Sequence, residues 1–184
     1  RYVTPQPTQI DFENNLAYDL IHHKHKGHRS LIIEDESPNI GRCIIPKPLF
    51  AYFKTGNMVL LDLPFEERVL NTYNEYVINS QTEYSNAFGE QALPNWFQYI
   101  NDSITKLKKR LGGTLYNKIM DCFHSAYEKQ IESGDNSAHR NWIEILLKEY
   151  YDPMYSYQIQ NTTQKIVFKG NTSEVLEFIS KNNY

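Results

Sequence analysis

Ser30-Leu31-Ile32-Ile33-Glu34-Asp35-Glu36-Ser37 and, further along, Met58-Val59-Leu60-Leu61-Asp62 are the stretches on which the reading of the fold turns. Each is an unbroken apolar run that ends in acid. That pattern is expected of a short strand buried on both faces of a parallel sheet, with carboxylates at the C-terminal end where open α/β sheets place their chemistry. Between the two runs, Pro46 and Pro48 open a short helix through Leu49, Phe50 and Phe53, with Gly56 as its stop. After the second run, Pro64 opens a helix in which Phe65, Val69, Tyr73 and Tyr76 or Val77 recur at helical spacing. Strand, helix, strand, helix predicts parallel pairing, with Ile32 and Leu60 in one layer.

Working outward, Pro5 and Pro7 keep residues 1–7 from being helical throughout. Thr8 with Asp11 then reads as a cap for a helix carrying Ile10, Leu16, Ala17, Leu20 and Ile21 and ending near His22–Gly27. From Gln81 to Tyr151 only helical patterns occur. One stripe is Trp96, Ile100, Ile104, Leu107 and Leu111; a second, beyond Gly112-Gly113, is Leu115, Ile119, Cys122, Phe123 and Ala126. A third is Trp142, Ile145, Leu146 and Tyr150, interrupted at Asp152-Pro153. Lys165–Lys169 then reads as a strand closed by Gly170, and Thr172–Lys181 as a helix. The expected organisation is residues 1–80 as the first part of an α/β domain, 81–151 as a helical insertion or subdomain, and 152–184 as the return to the α/β domain.

Composition narrows the function classes. The chain has 184 residues, 40% hydrophobic and 22% charged, with 8 Gly and 8 Pro, which suits one globular domain and excludes collagen-like or wholly disordered chains. Its net charge of −3 provides no global field for nucleic acid, so any polyanion site must be local. Two cysteines, Cys43 and Cys122, form no disulfide framework or zinc motif, and no apolar run is long enough to span a membrane. These features predict a cytoplasmic protein, and the start at Arg1 suggests a fragment. Aromatic residues make up 14% of the chain, including 14 Tyr, and are read either as core and rim or as a base-stacking surface.

Several groups could carry chemistry. Leu31–Asp35 has the form of a Walker B segment, in which Asp35 would hold magnesium or its water near a phosphate; a solvated or capping carboxylate is the competing reading. The phosphate loop G-x-x-x-x-G-K-[ST] is absent from the chain. Lys106, Lys109 and Arg110 are expected on one flank of a single helix, with Tyr99 on the same helix and Tyr116 and Tyr127 nearby. They could meet RNA phosphates and bases or form an ordinary solvated face. His22, His23, His25 and His28, interleaved with Lys24, Lys26 and Arg29, read as a solvated loop rather than a metal site. Arg68 could clamp a phosphate or pair with Asp62 or Glu75.

Lys148-Glu149-Tyr150-Tyr151-Asp152-Pro153-Met154-Tyr155-Ser156-Tyr157-Gln158, with Lys165-Ile166-Val167-Phe168-Lys169-Gly170 behind it, resembles the C-terminal part of the tRNA 2-selenouridine synthase family. Pro5–Gln9, Phe12-Glu13-Asn14, Glu34–Ser37 with Ile40-Gly41, and Lys108–Gly112 match the same family in the same order. The resemblance implies conversion of wobble 2-thiouridine in tRNA to 2-selenouridine through an S-geranylated intermediate, with geranyl diphosphate and selenophosphate as substrates. It also implies an N-terminal rhodanese-like domain bearing a catalytic cysteine, followed by a P-loop domain. The rhodanese-like domain, its cysteine and the phosphate loop have no counterpart here, and neither Cys43 nor Cys122 replaces that cysteine.

The combined expectation is an α/β fold, an incomplete P-loop NTPase-like parallel sheet with a large helical insertion. Asp35, Glu36 and Arg68 would face a diphosphate with Mg at Asp35, while Lys106, Lys109, Arg110 and Tyr99 would face the tRNA anticodon loop. The isolated chain is expected to be inactive. The alternative is a non-catalytic RNA-binding or interaction module of the same descent.

Overall fold

A computed structural model describes residues 4–182; the extremities of the first and last expected segments, residues 1–3 and 183–184, lie outside the described residues. In chain order the elements are α1 (Gln9–His25), β1 (Asn39–Ile40), β2 (Cys43–Ile44), α2 (Lys47–Phe53), β3 (Met58–Leu61), α3 (Phe65–Tyr73) and a π-helical segment Asn74–Asn79. There follow α4 (Ser80–Phe88), a 3-10 turn Gly89–Gln91, α5 (Ala92–Lys106), α6 (Lys108–Ser133), α7 (His139–Leu146), a second π-helical segment Leu147–Tyr151, α8 (Asp152–Gln160), β4 (Ile166–Gly170) and α9 (Thr172–Lys181). The result is a mostly helical α/β protein with a small parallel sheet. It divides into two compact units, a helical one spanning Pro64–Thr162 and an α/β one made of residues 4–63 with the chain from Thr163 onward.

In the α/β unit, the Thr8 hydroxyl accepts from the Asp11 N–H at 3.2 Å and starts α1, satisfying a donor that the first turn leaves unpaired. β3 and β4 pair in parallel, with Val59 opposite Phe168 and Leu60 opposite Lys169; the Asp62 N–H extends the ladder to the Gly170 carbonyl at 2.8 Å. α9 opens with a reciprocal capping box between Asn171 and Glu174, and Phe178 from it stacks on Phe168 at 4.4 Å. A small antiparallel pair, β1–β2, turns at Gly41, whose φ of 63° suits glycine. The Gln6 side-chain amide approaches this turn so closely that a Cβ at Gly41 would clash with its Nε2.

The first expected strand is corrected by the structure. Leu31, Ile32 and Ile33 lie in irregular chain and are exposed, Ile32 at 59%, so Ile32 and Leu60 share no layer; the neighbour of β3 is β4. An apolar run becomes a strand only where another strand completes its backbone hydrogen bonds, and among the described residues none pairs with 31–33.

The helical unit holds the main hydrophobic core. Trp96, Ile100, Ile104 and Leu111 bury one expected stripe, and Ile119, Phe123 and Ala126 a second; Trp142 is joined by Ile143. Phe123 lies at the centre, stacked on Phe97 at 5.0 Å and edge-on to Trp96 and Trp142 at 6.1 and 5.7 Å. Much of the aromatic composition therefore serves packing. The expected interruption at Asp152-Pro153 is corrected too: the helical chain runs on into α8, with Pro153 in its first turn and the π-helical segment directly before it. Proline lacks the N–H that an α-ladder would use there, and a shift of hydrogen-bond register accommodates that loss.

Candidate functional site

The basic segment 106–110 forms an elbow, which corrects the expectation of one helical flank. α5 is anchored by Trp96, Ile100 and Ile104 on its buried side and ends at Lys106, while Leu107 caps both α5 and α6. The Arg110 and Leu111 N–H groups turn back to the Leu107 carbonyl at 2.8 and 3.0 Å. The chain then kinks again at Gly112, where φ is 74° and ψ 167°. Lys108, Lys109 and Arg110 therefore occupy a single turn between two breaks, with Lys106 just before it, and all four are exposed. The Lys108 ammonium stands 4.8 Å over the Tyr116 ring, whose hydroxyl lies 3.3 Å from Thr105 Oγ1. An exposed, cationic turn beside an aromatic ring has the composition to meet successive phosphates.

Tyr99 is placed elsewhere on α5. Its half-buried ring stacks on Tyr84 at 5.9 Å and lines a pocket with Glu75, Tyr76, Asn79, Ser80 and Glu83. Arg68, at the start of α3, makes a bidentate ion pair with Asp152, the second bond at 3.0 Å, and its guanidinium lies 5.5 Å from the Phe65 ring. The forked geometry of guanidinium and carboxylate explains the pairing, and it occupies the group that sequence reading offered as a phosphate clamp. Asp62, one of the two partners expected for Arg68, instead bonds Lys169 at 2.9 Å.

Asp35 and Glu36 belong to the α/β unit and Arg68 to the helical unit. Asp35 is not at a strand end; it lies in irregular chain and accepts from Lys54, and Glu36 is exposed. Among the described residues no three His, Cys, Asp or Glu side chains gather as a metal cage. His23 accepts no such role: its Nε2 bonds the Ser30 carbonyl at 2.7 Å and its ring lies 4.7 Å from that of His28. Cys43 is buried.

Sequence reading missed Lys54, Asp152 and His139. The first two are paired only by tertiary structure, although acid–base complementarity to Asp35 and Arg68 was the available signal. His139 is fully buried, and burial pushes its pKa down to about 4. The Trp142 indole N–H donates to its Nδ1 at 3.0 Å, which places the ring proton on Nε2, 2.9 Å from Gln130 Oε1. Gln130 exchanges two further amide bonds with Gln81. This is a neutral, satisfied core histidine.

Among the described residues no helix is long and apolar enough to cross a membrane. The family model described as the tRNA 2-selenouridine synthase AAA domain matches residues 1–184. A tRNA 2-selenouridine synthase of Hydrogenovibrio crunogenus is 44% identical over 180 residues, covering 98% of this chain and 48% of the relative. Proteins of the same name from Sulfurovum sp. and Shewanella sediminis are 38% and 39% identical, each over 98% of this chain and 50% and 49% of their own length. The chain thus spans about half the length of these curated relatives. No solved structure matches it.

Proposed function

The chain belongs to the tRNA 2-selenouridine synthase AAA-domain family, and from that premise we propose that it forms the P-loop-like half of a tRNA-modifying transferase that converts 2-thiouridine to 2-selenouridine. The observation that carries this reading is similarity across the whole chain, 44% identity over 98% of its length, to a protein of that name. In the intact protein a rhodanese-like domain supplies the other half. Geranyl diphosphate and selenophosphate are the co-substrates, and the S-geranylated nucleoside is the intermediate. The helical chain between β3 and β4 is an insertion into an incomplete P-loop-like sheet. Leu31–Ile33, apolar yet exposed, is the run that a completed sheet would take up, which would bring Asp35 and Glu36 to a strand end facing a diphosphate. Magnesium there would neutralise phosphate charge, with Asp35 as its protein oxygen and Lys54 released from it. The elbow Lys106, Lys109 and Arg110, beside Tyr116, grips the anticodon loop, with Tyr99 on the same helix as Lys106 and stacked on Tyr84.

The test is nucleoside mass spectrometry of tRNA from a strain lacking the intact gene. The reading predicts that 2-selenouridine disappears while 2-thiouridine remains, that the wild-type gene restores it, and that Asp35→Ala does not. Undiminished 2-selenouridine in the deletion strain contradicts the function; full rescue by Asp35→Ala removes the carboxylate from it.

A further inference from the structure

The C-terminal end of α1 carries a basic cluster that the proposed chemistry leaves unused. From His22 to Arg29, seven of eight residues are His, Lys or Arg, and no acid occurs between Asp19 and Glu34. On a chain of net charge −3 that is a local excess of positive charge. Lys24, Lys26 and Arg29 are all exposed, and among the described residues none of them makes an ion pair. A helix dipole attracts cations to its C-terminal turn, which accounts for Lys24; the attraction fades beyond that turn and gives no reason for Arg29.

The segment is built, not frayed. Gly27, at φ 82°, closes α1: its N–H returns to the Lys24 carbonyl at 3.0 Å and the His28 N–H to the His23 carbonyl at 3.3 Å, the paired bonds of a Schellman turn. The half-buried His23 then donates from Nε2 to the Ser30 carbonyl at 2.7 Å, and its ring lies 4.7 Å from that of His28. These contacts keep the chain carrying Lys26 and Arg29 folded against the helix end.

The same helix offers flat rings. Tyr18 and His22, one turn apart, lie parallel within 7° at 5.9 Å, and Tyr18 is 67% exposed. α1 uses a different set of residues for packing, since Phe12, Leu16, Leu20 and His23 are the half-buried ones. Unpaired cations beside exposed, stacked rings are what an RNA backbone and an unstacked base require of a protein surface.

We propose that the end of α1 is a second RNA contact, with Lys24, Lys26 and Arg29 on phosphates and the Tyr18–His22 stack against an unpaired base. The proposal rests on the tRNA reading above and adds to it a contact in the α/β unit, whereas the elbow belongs to the helical unit. RNA is favoured over an anionic bilayer because Phe12, Leu16 and Leu20 are engaged within the unit and are not available for insertion.

Fluorescence anisotropy of labelled tRNA, titrated with the full chain over a range of salt concentrations, tests this. Lys24→Gln/Lys26→Gln/Arg29→Gln, which keeps exposed side chains of similar length, should bind more weakly, with the slope of log affinity against log salt lowered by about 2. The loss should add to that of the elbow variant. Tyr18→Ala should weaken binding about fivefold or more with the slope unchanged, the mark of stacking without charge. Circular dichroism and the urea midpoint should be the same in all these proteins, because the substituted positions are exposed. Equal affinity and slope in the Gln variant overturn the phosphate contact, and equal affinity in Tyr18→Ala overturns the stacking contact. Tighter binding to phosphatidylserine vesicles than to tRNA, lost in the Gln variant, assigns the patch to a membrane surface and overturns the proposal. Absence of tRNA binding by the wild-type chain overturns both this contact and the elbow while leaving the reaction to the nucleoside measurement, which tests it separately.

Discussion

His139 shows how one buried side chain couples the fold to pH. Its folded pKa, about 4, lies below the ordinary histidine value near 6.5, so as pH falls the unfolded chain takes up the proton first. Stability contributed by the neutral ring is complete above about pH 6.5 and is lost progressively as pH falls towards about 4, where protonation would also set Nδ1–H against the Trp142 N–H. Urea denaturation should give a stability about 2 kcal/mol lower near pH 5 than near pH 7.5 from this residue alone. His139→Gln should be less stable at neutral pH but show a shallower pH dependence. Identical pH slopes in wild type and variant would place the buried proton elsewhere. Arg68 illustrates a different residue-scale lesson. Its partner Asp152 is 84 positions away, so the pairing that occupies the guanidinium could not be read from the neighbours Asp62 and Glu75.

At the scale of elements, the glycine pair at 112–113 separates two backbone roles. Gly112 adopts φ 74° and ψ 167°, a region essentially restricted to glycine, while Gly113 continues α6, and a Cβ at either would meet open space. Gly112→Ala should therefore destabilise through strain alone, by about 1–3 kcal/mol. Gly113→Ala should be neutral or stabilise by up to about 1 kcal/mol. Thermal melting of the two variants checks the contrast; equal shifts would mean that the kink after the elbow is not what Gly112 maintains. Sequence spacing announced this break, since Gly-Gly punctuates a helical stripe. It did not announce the one at Leu107, where the apolar period Ile104, Leu107, Leu111 runs on unbroken while the backbone turns. The elements at Thr8, Pro46 and Pro64 were legible because caps and prolines act within a few residues. Leu31–Ile33 was misread because strand formation is a property of pairs: an apolar run carries the potential, and a partner strand realises it.

For the whole molecule, the family was legible in the short strings spread along the chain, and the cationic segment 106–110 was legible as composition, although its shape was not. The elbow's consequence is electrostatic. On a chain of net charge −3, four cations in five positions concentrate positive charge in one place, the kind of patch to which a polyanion is drawn. The central claim, that this face grips tRNA, is tested most directly by measuring the salt dependence of tRNA binding for the wild-type chain and for Lys106→Ala/Lys109→Ala/Arg110→Ala. The substituted positions are exposed, so the fold should be unaffected. The account predicts saturable binding by the wild type and, in the triple variant, weaker binding with the slope of log affinity against log salt reduced by about 2. Equal affinity and equal slope in the two proteins would contradict it.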